Sequence, residues 1–518
     1  MKRMFAAIAA AAASFPLLAG IEMGVPFSGG AVLQRGMKVP VWGKTVPAVP
    51  GSKIKVEFAG QAKTADVDAS SGEWKVELDP MDASKSGRAM KVTELSPGGA
   101  AASSEEIRDI LVGEVWFASG QSNMECPIWG GNTRYRDGKG ALVTSMTRLP
   151  CVRFMKSPKK WSAVPYRVTA KWHRFEPDGF AAAEKECGLQ LSAVAFYYAR
   201  ELYLALDVPI GVVDASWGGT NIDAWTPRSG YDGCDGSLKA VAEYPVTSNW
   251  NAKTCRRGPV GDAHQQPTVL FNGMVSAFAP MAMRGFIWYQ GCHNEGESHL
   301  YCAKLHALYE GWRREFANPG LKFYLVQLAP YNRNWLGICM AQTKFVSEEK
   351  NAALAVAADA GNFFDIHPND KETVAKRLAV HALKRDYGFD IPQDDSPVLK
   401  SVSFKDGKAF LSFGNVKSWY VYSPDRSKNA AFELAGPDGK WAPAKVVNWR
   451  TVKRRAPIKA KRGSAPHKEA TDFIDGPEIV LSSDAVKNPV KVRYMGQPRT
   501  SGTIYNEASL PLGPFEAQ

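Results

Sequence analysis

A serine, a histidine and an aspartate lie in short polar segments of this chain where they could perform acyl transfer. Ser122 directly follows an apolar run, in Val-Trp-Phe-Ala-Ser-Gly-Gln-Ser-Asn-Met at 115–124. Asp365 and His367 alternate in Phe-Asp-Ile-His-Pro, so both would face one side of an extended segment. A serine nucleophile needs a base to accept its proton and usually an acid to orient that base. The three residues are therefore candidates for a hydrolytic site, with a plain turn serine and a helix-capping histidine as the simpler alternatives.

Two later segments offer hydrogen-bond donors for the oxyanion that acyl transfer creates. Ser-Trp-Gly-Gly-Thr-Asn at 216–221 has adjacent glycines that let backbone N–H groups approach a ligand. Gln-Gly-Cys-His-Asn at 290–294 adds two side-chain amides. One preorganised donor of this kind is worth roughly 10²–10³ in rate. Met124 stands where the Gly-x-Ser-x-Gly elbow of α/β-hydrolases would need glycine, so that fold is disfavoured.

Histidine and glutamate side chains that follow the second of these segments could also suggest a metal site. They are His293, Glu295, Glu297 and His299. The His-Glu-x-x-His zinc signature is absent, and charged loop residues are common beside active sites. We therefore predict neither a metal nor another cofactor.

Eight cysteines stand at positions 126, 151, 187, 234, 255, 292, 302 and 339. Oxidising compartments allow disulfides, and proximity in the sequence favours the pairs Cys126–Cys151 and Cys234–Cys255. Cys292 precedes a histidine and could be a nucleophile, but a disulfide with Cys302 is the preferred interpretation. No Cys-x-x-Cys pair exists, so a thiolate zinc site is not predicted.

Mostly apolar runs alternate with helical patterns through the middle of the chain. The runs are Val112–Ala118, Ile210–Ala215, Arg284–Tyr289, Lys322–Leu328 and Ala353–Ala358. Such runs are typical of parallel strands buried on both faces. Helices are predicted at Ala193–Leu206, around Tyr301–Trp312 and at Lys371–Arg385, where apolar residues recur on one face. The pattern predicts a three-layer α/β domain at 109–390, with loop insertions at 126–186 and 228–268.

Both flanks of this domain are predicted to be rich in β-strands. Period-2 alternation at Lys53–Phe58 and Trp74–Leu78 predicts an N-terminal β-domain over 21–108. Similar alternation at Ala409–Phe413 and Lys491–Tyr494 predicts a C-terminal β-rich region over 391–518. Polar residues that follow the apolar runs of the α/β domain would then lie together at the carboxyl edge of the parallel sheet.

The net charge of +12, from 64 Lys and Arg against 52 Asp and Glu, is unevenly distributed. Residues 441–470 hold nine Lys or Arg and one Glu, a local charge of +8. Few stacking aromatics interleave with these cations, which disfavours nucleic-acid binding. A solvated loop is the simpler interpretation, and long-range attraction of anionic glycans is the alternative.

The first twenty residues have the pattern of a secretory signal peptide. Lys2 and Arg3 precede an Ala-rich apolar run, and small residues end the segment near Gly20. A membrane anchor is the alternative, but the run is short for a span of about 20 residues. We therefore predict signal peptide 1–20 and export to the periplasm or the extracellular space, with no membrane span in the mature chain.

Four segments together resemble the sialate O-acetylesterase family, a branch of the SGNH-type esterases that is also similar to acetylxylan esterases. They read GEVWFASGQSNM at 113–124, SWGGTNIDAWTP at 216–227, RGFIWYQGCHN at 284–294 and DIHPNDKETVAKRLA at 365–379. The resemblance implies a flavodoxin-like parallel sheet and removal of O-acetyl groups from sialic acids. The alternative substrate is acetylxylan or another glycan. The alternative to an enzyme is a catalytically inactive glycan-binding protein.

The resemblance also assigns roles to individual residues. Ser122 would be the nucleophile, His367 the base and Asp365 its partner. The oxyanion hole would combine the N–H of Ser122 with Gly219 and the amides of Gln290 or Asn294. Trp129, Trp217, Trp225 and Trp288 could form an apolar wall beside the substrate, or belong to the core.

Two departures from the family pattern concern the acid. Many members have Gln-Gly-Glu-Ser-Asn where this chain has Gln-Gly-Cys-His-Asn at 290–294. SGNH enzymes more widely place the acid three residues before the histidine, a position that Phe364 occupies here. The choice between Asp365 as the acid and a Ser–His dyad therefore stays open.

Overall fold

The computed structural model describes residues 20–128, 140–187, 191–234, 236–244, 263–421, 431–451 and 472–518. Except for Gly20, the predicted signal peptide lies outside these residues. So do Trp129, Cys255 and the part of the basic segment from 452 onward. In the described part of the chain, no helix combines the length and apolarity that crossing a membrane requires.

The N-terminal region consists of strands that, with one exception, pair antiparallel. The strands are β1 (Gly20–Met23), β2 (Val32–Gln34), β3 (Val39–Val46), β4 (Lys53–Phe58), β5 (Gln61–Asp66), β6 (Glu73–Leu78), β7 (Ser84–Leu95) and β8 (Ala101–Gly120). The exception is β2, which runs parallel to β8. Their residues alternate between core and solvent; in β6, for example, Trp74, Val76 and Leu78 are buried. The predicted strands here are confirmed. Because β8 continues unbroken into the central sheet, the predicted domain boundary at 108 falls inside a strand.

The central sheet is the core of the α/β domain. Its further strands are β9 (Leu149–Lys156), β10 (Trp172–Phe175), β11 (Ile210–Ser216), β12 (Gly285–Tyr289), β13 (Lys322–Val326) and β14 (Ala352–Ala355). They lie in the order β10-β9-β11-β8-β12-β13-β14, and every neighbouring pair except β10–β9 is parallel. The five predicted apolar runs all form strands. Their order, β11-β8-β12-β13-β14, is the 2-1-3-4-5 order of flavodoxin-like sheets, which confirms the predicted fold class.

The interpretation of 126–186 as a loop insertion is wrong in part. The segment contributes β9 and β10, which extend the central sheet at the edge beside β11. The sequence of β9 hides this because Arg153 and Lys156 interrupt its apolar pattern. Both are buried through ion pairs, Arg153 with Asp109 at 2.9 Å and Lys156 with Asp214 at 2.7 Å.

Helices cover the central sheet in pairs, with α4 packed on α8 and α6 on α7. Their bounds are α1 (Ser122–Glu125), α2 (Gly140–Met146), α3 (Pro177–Cys187), α4 (Ala193–Leu206), α5 (Lys239–Ala242), α6 (Ser298–Glu315), α7 (Leu336–Glu348) and α8 (Lys371–Arg385). Side chains cap the first turns of α4 and α8. Ser192 accepts a hydrogen bond from the N–H of Ala195 at 3.1 Å, and Asp370 accepts one from the N–H of Thr373 at 3.0 Å. The predicted bounds of α4 and α8 are confirmed.

The described residues of the C-terminal region form three four-stranded antiparallel sheets. Its strands are β15 (Val398–Lys405), β16 (Lys408–Gly414), β17 (Ser418–Val421), β18 (Phe432–Ala435), β19 (Trp441–Pro443), β20 (Lys445–Val446), β21 (Arg450–Thr451), β22 (Asp472–Asp475), β23 (Glu478–Ser482), β24 (Lys491–Tyr494), β25 (Ile504–Asn506) and β26 (Phe515–Ala517). The two strands predicted from alternation correspond to β16 and β24. The β-rich character of this flank is therefore confirmed.

Candidate active site

A cleft of about 950 Å³ opens where strands of the central sheet end at their carboxyl edge. Ser122 lines it from the end of β8 and Gly219 from the loop after β11. His293 lines it from the loop after β12, and His367 from the segment between β14 and α8. Four polar segments that lie far apart in the sequence thus meet at one cavity, as expected for ligand sites in open α/β sheets.

A tight turn carries Ser122 out of β8. Gly120 has φ +141°, and a side chain there would collide with the carbonyl of Tyr289, so only glycine allows β8 and β12 to approach this closely. The N–H of Gln121 donates to the same carbonyl at 3.0 Å, and Ser122 then begins α1. Within the described residues, the Oγ of Ser122 forms no hydrogen bond, so it is available to a ligand in the cleft.

The loop after β11 brings backbone donors beside Ser122. A Cβ placed on Gly218 would lie 3.2 Å from the Cβ of Ser122, so the two residues are in contact. Gly218 donates its N–H to the carboxylate of Glu125. Gly219 adopts φ +72°, a left-handed conformation that favours glycine. Its N–H has no acceptor among the described residues, which suits a donor for an oxyanion.

Gln290 and Asn294 lie behind the cleft in a buried network. Gln290 donates both amide protons within the protein, to the carbonyl of Thr220 at 3.0 Å and to Oδ1 of Asn294 at 2.7 Å. Asn294 donates to Glu297 at 2.9 Å and accepts the N–H of Ile222 at 3.1 Å. The Gln290 amide therefore ties the loops after β11 and β12 together and does not point at Ser122. Asn294 retains one N–H proton.

His367 is 7% exposed, and Asp365 lies two residues before it. The alternation predicts that the two side chains face the same side. One carboxylate oxygen of Asp365 accepts the backbone N–H of His367 at 2.9 Å and lies 3.5 Å from its Nδ1. That second distance is long for a hydrogen bond but within reach of an ion pair. Asp365 thus fixes the backbone before His367 and faces its imidazole more loosely.

Comparison with known proteins places this arrangement in a family. The family model described as "Carbohydrate esterase, sialic acid-specific acetylesterase" matches residues 112–383, more than half of the chain. The chain belongs to this family. It is an esterase, and the matched range contains all four segments that line the cleft. The predicted resemblance is confirmed.

Individual proteins are also similar to this chain over most of its length. Human sialate O-acetylesterase is 27% identical over 437 residues, 78% of this chain and 78% of that protein. The mouse sialate O-acetylesterase is 27% identical over 454 residues, 79% of this chain and 82% of that protein. A crystal structure of a novel carbohydrate acetylesterase from Xanthomonas citri has a TM-score of 0.75 and 30% identity, covering 96% of this chain and 99% of that one.

A buried bridge links the segment that contains Ser122 to the segment that contains His367, and no pattern in the sequence singled it out. Asn123 donates to the carbonyl of Ile366 at 3.0 Å, one residue before His367. Its Oδ1 accepts from the ammonium of Lys371, the first residue of α8, which is fully buried. Burial lowers the pKa of Lys371. The only signal in the sequence was position, since both residues lie within the two family segments.

Replacing Lys371 with methionine should lower kcat by on the order of 10²-fold, because catalysis is sensitive to displacements of about 1 Å. The melting temperature should change little. Removing a buried ammonium relieves its desolvation cost, and this offsets the lost donor to Asn123. Steady-state acetate release and thermal unfolding measure the two effects.

Lys376→Met is the matched control, because Lys376 lies on the same helix in a partly exposed ion pair with Glu372. It should leave kcat within about threefold of the parent, as surface pairs contribute little. If Lys371→Met and Asn123→Ala act through one bridge, the double variant should lose no more than the worse single variant. Fully additive losses would contradict the bridge.

The cysteine pairings tested by the structure are wrong. Cys151, Cys292 and Cys302 are free thiols, so neither Cys126–Cys151 nor Cys292–Cys302 is formed. Cys126 follows the end of β8, whereas Cys151 lies near the start of β9, and parallel strands place these at opposite edges of the sheet. The pair Cys234–Cys255 involves a residue outside the described part of the chain.

Cys292 lines the cleft as a thiol and not as a thiolate. Burial raises its pKa to about 12, so it is almost fully protonated at neutral pH. Its neighbours in the loop are held by ion pairs: Glu295 with Arg333 at 2.8 Å, and Glu297 with Lys304 at 2.8 Å. These contacts account for the acidic residues after Gln-Gly-Cys-His-Asn.

The rim of the cleft carries two partly exposed cations, each paired with a carboxylate, while the third cation that lines the cleft, Lys156, is buried. Lys159 contacts Glu125, and Arg333 contacts Glu295 while its side chain remains 59% exposed. Trp217 stacks on His264 with ring centroids 4.9 Å apart, and Lys159 lies 5.7 Å from the Trp217 ring centre. The other two described tryptophans considered for an apolar wall, Trp225 and Trp288, belong to the core.

Proposed function

We propose that this esterase removes O-acetyl groups from sialic acids by a serine acyl-enzyme mechanism. The observation that carries the proposal is the meeting of Ser122, Gly219 and His367 in one cleft. The reaction class is acyl transfer to water, for which a nucleophile, a base and oxyanion donors suffice, so none of its steps calls for a cofactor.

In the proposed first half-reaction, His367 accepts the proton of Ser122 while Oγ attacks the acetyl carbonyl carbon. The N–H groups of Ser122 and Gly219 stabilise the oxyanion, and the remaining amide proton of Asn294 is a third candidate donor. The tetrahedral intermediate collapses, the sugar oxygen leaves with the proton from His367, and acetyl-Ser122 remains. Gln290 acts as a positioning residue through its contacts with the neighbouring loops.

In the second half-reaction, His367 takes a proton from water as the water oxygen attacks the acetyl carbonyl. Collapse of this intermediate returns the proton to Ser122 and releases acetate. One ester and one water thus become one sugar hydroxyl and one acetic acid. Asp365 favours the transient imidazolium through its nearby negative charge.

Sialic acid carries a carboxylate, and Arg333 is the rim cation best placed to meet it. Its exposed side chain can exchange the carboxylate of Glu295 for that of a ligand with little desolvation cost. A neutral acetylated glycan such as acetylxylan is the second candidate, favoured by the balanced charges of the rim. The two candidates differ in whether Arg333 contributes to kcat/KM.

Acetate release from 9-O-acetylated sialic acid, acetylated xylan and p-nitrophenyl acetate tests the proposal. We expect the sialic acid ester to have the highest kcat/KM, and Arg333→Gln to lower it at least about tenfold through loss of one charged hydrogen bond. The same variant should leave p-nitrophenyl acetate turnover unchanged.

Arg313→Gln, which removes a paired arginine on α6, is the control for a general charge effect. If the esterase prefers acetylated xylan and Arg333→Gln leaves kcat/KM unchanged, the substrate is a neutral glycan. Sugar binding without any acetate release would instead favour an inactive glycan-binding protein.

We also propose that the esterase is exported, on the basis of the charged, apolar and small-residue pattern of the first twenty residues. A mature N-terminus near Gly20, determined by N-terminal sequencing, would support this, and an intact Met1 in the released protein would contradict it.

A further inference from the structure

A cysteine, a histidine and a glutamate converge between α6 and α7, away from the residues that line the cleft. Cys302 and His306 are four residues apart on α6 and so share a face, and Glu348 is the last residue of α7. One ligand atom from each of the three lies within 4.8 Å of the other two. The Oε2 of Glu348 is 3.5 Å from the Sγ of Cys302 and 2.9 Å from the Nε2 of His306.

These separations are close to those of a tetrahedral zinc site. Zn–S of about 2.3 Å and Zn–N or Zn–O of about 2.1 Å place neighbouring ligand atoms about 3.4–3.6 Å apart. The Cys302–Glu348 separation already has this value, and the His306–Glu348 separation needs to open by about half an ångström to reach it. The carboxylate of Glu348 is partly exposed, so its side chain can make that adjustment.

The second nitrogen of His306 is held as zinc-bound histidines usually are. Its Nδ1 lies 3.1 Å from Oε1 of Glu349, which fixes the ring and leaves Nε2 facing Cys302 and Glu348. The ring also packs edge-on against Phe345, with centroids 4.8 Å apart. Lys344 approaches the other oxygen of Glu348, Oε1, at 3.8 Å, so Oε2 remains for a metal.

We propose that Cys302, His306 and Glu348 form a zinc site with one further position for water, and that Glu349 orients His306. Thiolate, imidazole and carboxylate are all zinc ligands, and the thiolate disfavours magnesium or calcium. Zinc binds the deprotonated form of cysteine, so its binding would release the thiol proton of Cys302.

The site would fasten together two helices that begin at the cleft. α6 starts directly after the segment that contains Cys292 and Glu295, and α7 starts after Trp335; all three of these residues line the cleft. Zinc between α6 and α7 would therefore stabilise one wall of the active site without contacting substrate. We expect zinc to raise the melting temperature while kcat changes by less than about twofold, since binding to the folded state alone stabilises it.

The test uses the full mature chain without a polyhistidine tag, treated with a chelator and then titrated with zinc chloride against a chromophoric indicator. We expect one equivalent to bind. Cys302→Ser and His306→Asn should each abolish that binding, and Glu349→Gln should weaken it by about 10–100-fold, as for other groups that hold a ligating histidine. Cobalt in place of zinc should show a thiolate charge-transfer band that Cys302→Ser removes.

His299→Asn and Cys151→Ser are matched controls, because they remove a histidine from the same helix and another free thiol. Both should bind zinc as the parent does. Retained acetate release and an unchanged circular dichroism spectrum show that each variant is folded. Absence of stoichiometric binding, a cobalt spectrum without the thiolate band, or full binding by Cys302→Ser would overturn the proposal and leave an ion-paired histidine between two carboxylates.

Discussion

Replacing Ser122 with alanine is expected to lower kcat for acetate release by on the order of 10⁶-fold, as loss of the nucleophile does in serine hydrolases. The fold should be unaffected. The Oγ of Ser122 forms no hydrogen bond with a described residue, and alanine keeps the Cβ that packs beside Gly218. Burst-phase formation of acetyl-enzyme, measured by mass spectrometry after rapid quenching, should disappear together with steady-state turnover.

Ser119→Ala is the matched control, because it removes the hydroxyl of a β8 residue three positions before Ser122. That hydroxyl is buried and donates to the carbonyl of Ala215 at 2.7 Å, so its loss should cost about 1 kcal/mol of stability and little activity. Cys292→Ser tests the rival nucleophile, and its raised pKa predicts that activity survives. Undiminished acetate release by Ser122→Ala, or its loss only in Cys292→Ser, would move the nucleophile to the cysteine.

The elements that hold the site could be predicted from the sequence because their patterns are local. The apolar runs of β11 and β12 are buried over their whole length, and α4 and α8 have a capping side chain at the start of an amphipathic stretch. Such signals depend on neighbours within a few residues. They place Ser122 and Gly219 just after strands and His367 just before α8, so all three are expected at the carboxyl edge of the sheet.

Features that depend on distant partners could not be predicted in this way. The polar residues of β9 become compatible with burial only once Asp109 and Asp214 are beside them. Sequence proximity suggested Cys126–Cys151, yet parallel strands separate their ends across the whole sheet. The direction of the Gln290 amide is set by Thr220 and Asn294, which no local pattern reports.

His367 and Asp365 should differ in how much they contribute to activity. His367→Ala should abolish nearly all turnover, a loss approaching that of Ser122→Ala, because no other described residue is proposed as the base. Asp365→Asn should cost only roughly 10–100-fold, well below the approximately 10⁴-fold of the buried aspartate in the serine protease triad. The reason is geometric. The Oδ1 of Asp365 lies 3.5 Å from the Nδ1 of His367, and its shorter contact, a hydrogen bond, is with the backbone N–H of that residue.

Asparagine can still accept that backbone N–H, so Asp365→Asn removes the charge while keeping the loop in place. The acidic limb of its pH–rate profile should move to lower pH, because a nearby carboxylate favours the imidazolium and its removal lets His367 act as a base in more acidic solution. The position of that limb separates an electrostatic role of Asp365 from a merely structural one. A structural role would lower kcat but leave the acidic limb where it is. Equal and complete losses in His367→Ala and Asp365→Asn would establish an obligate triad, whereas the expected inequality identifies Ser122 and His367 as a dyad that Asp365 assists.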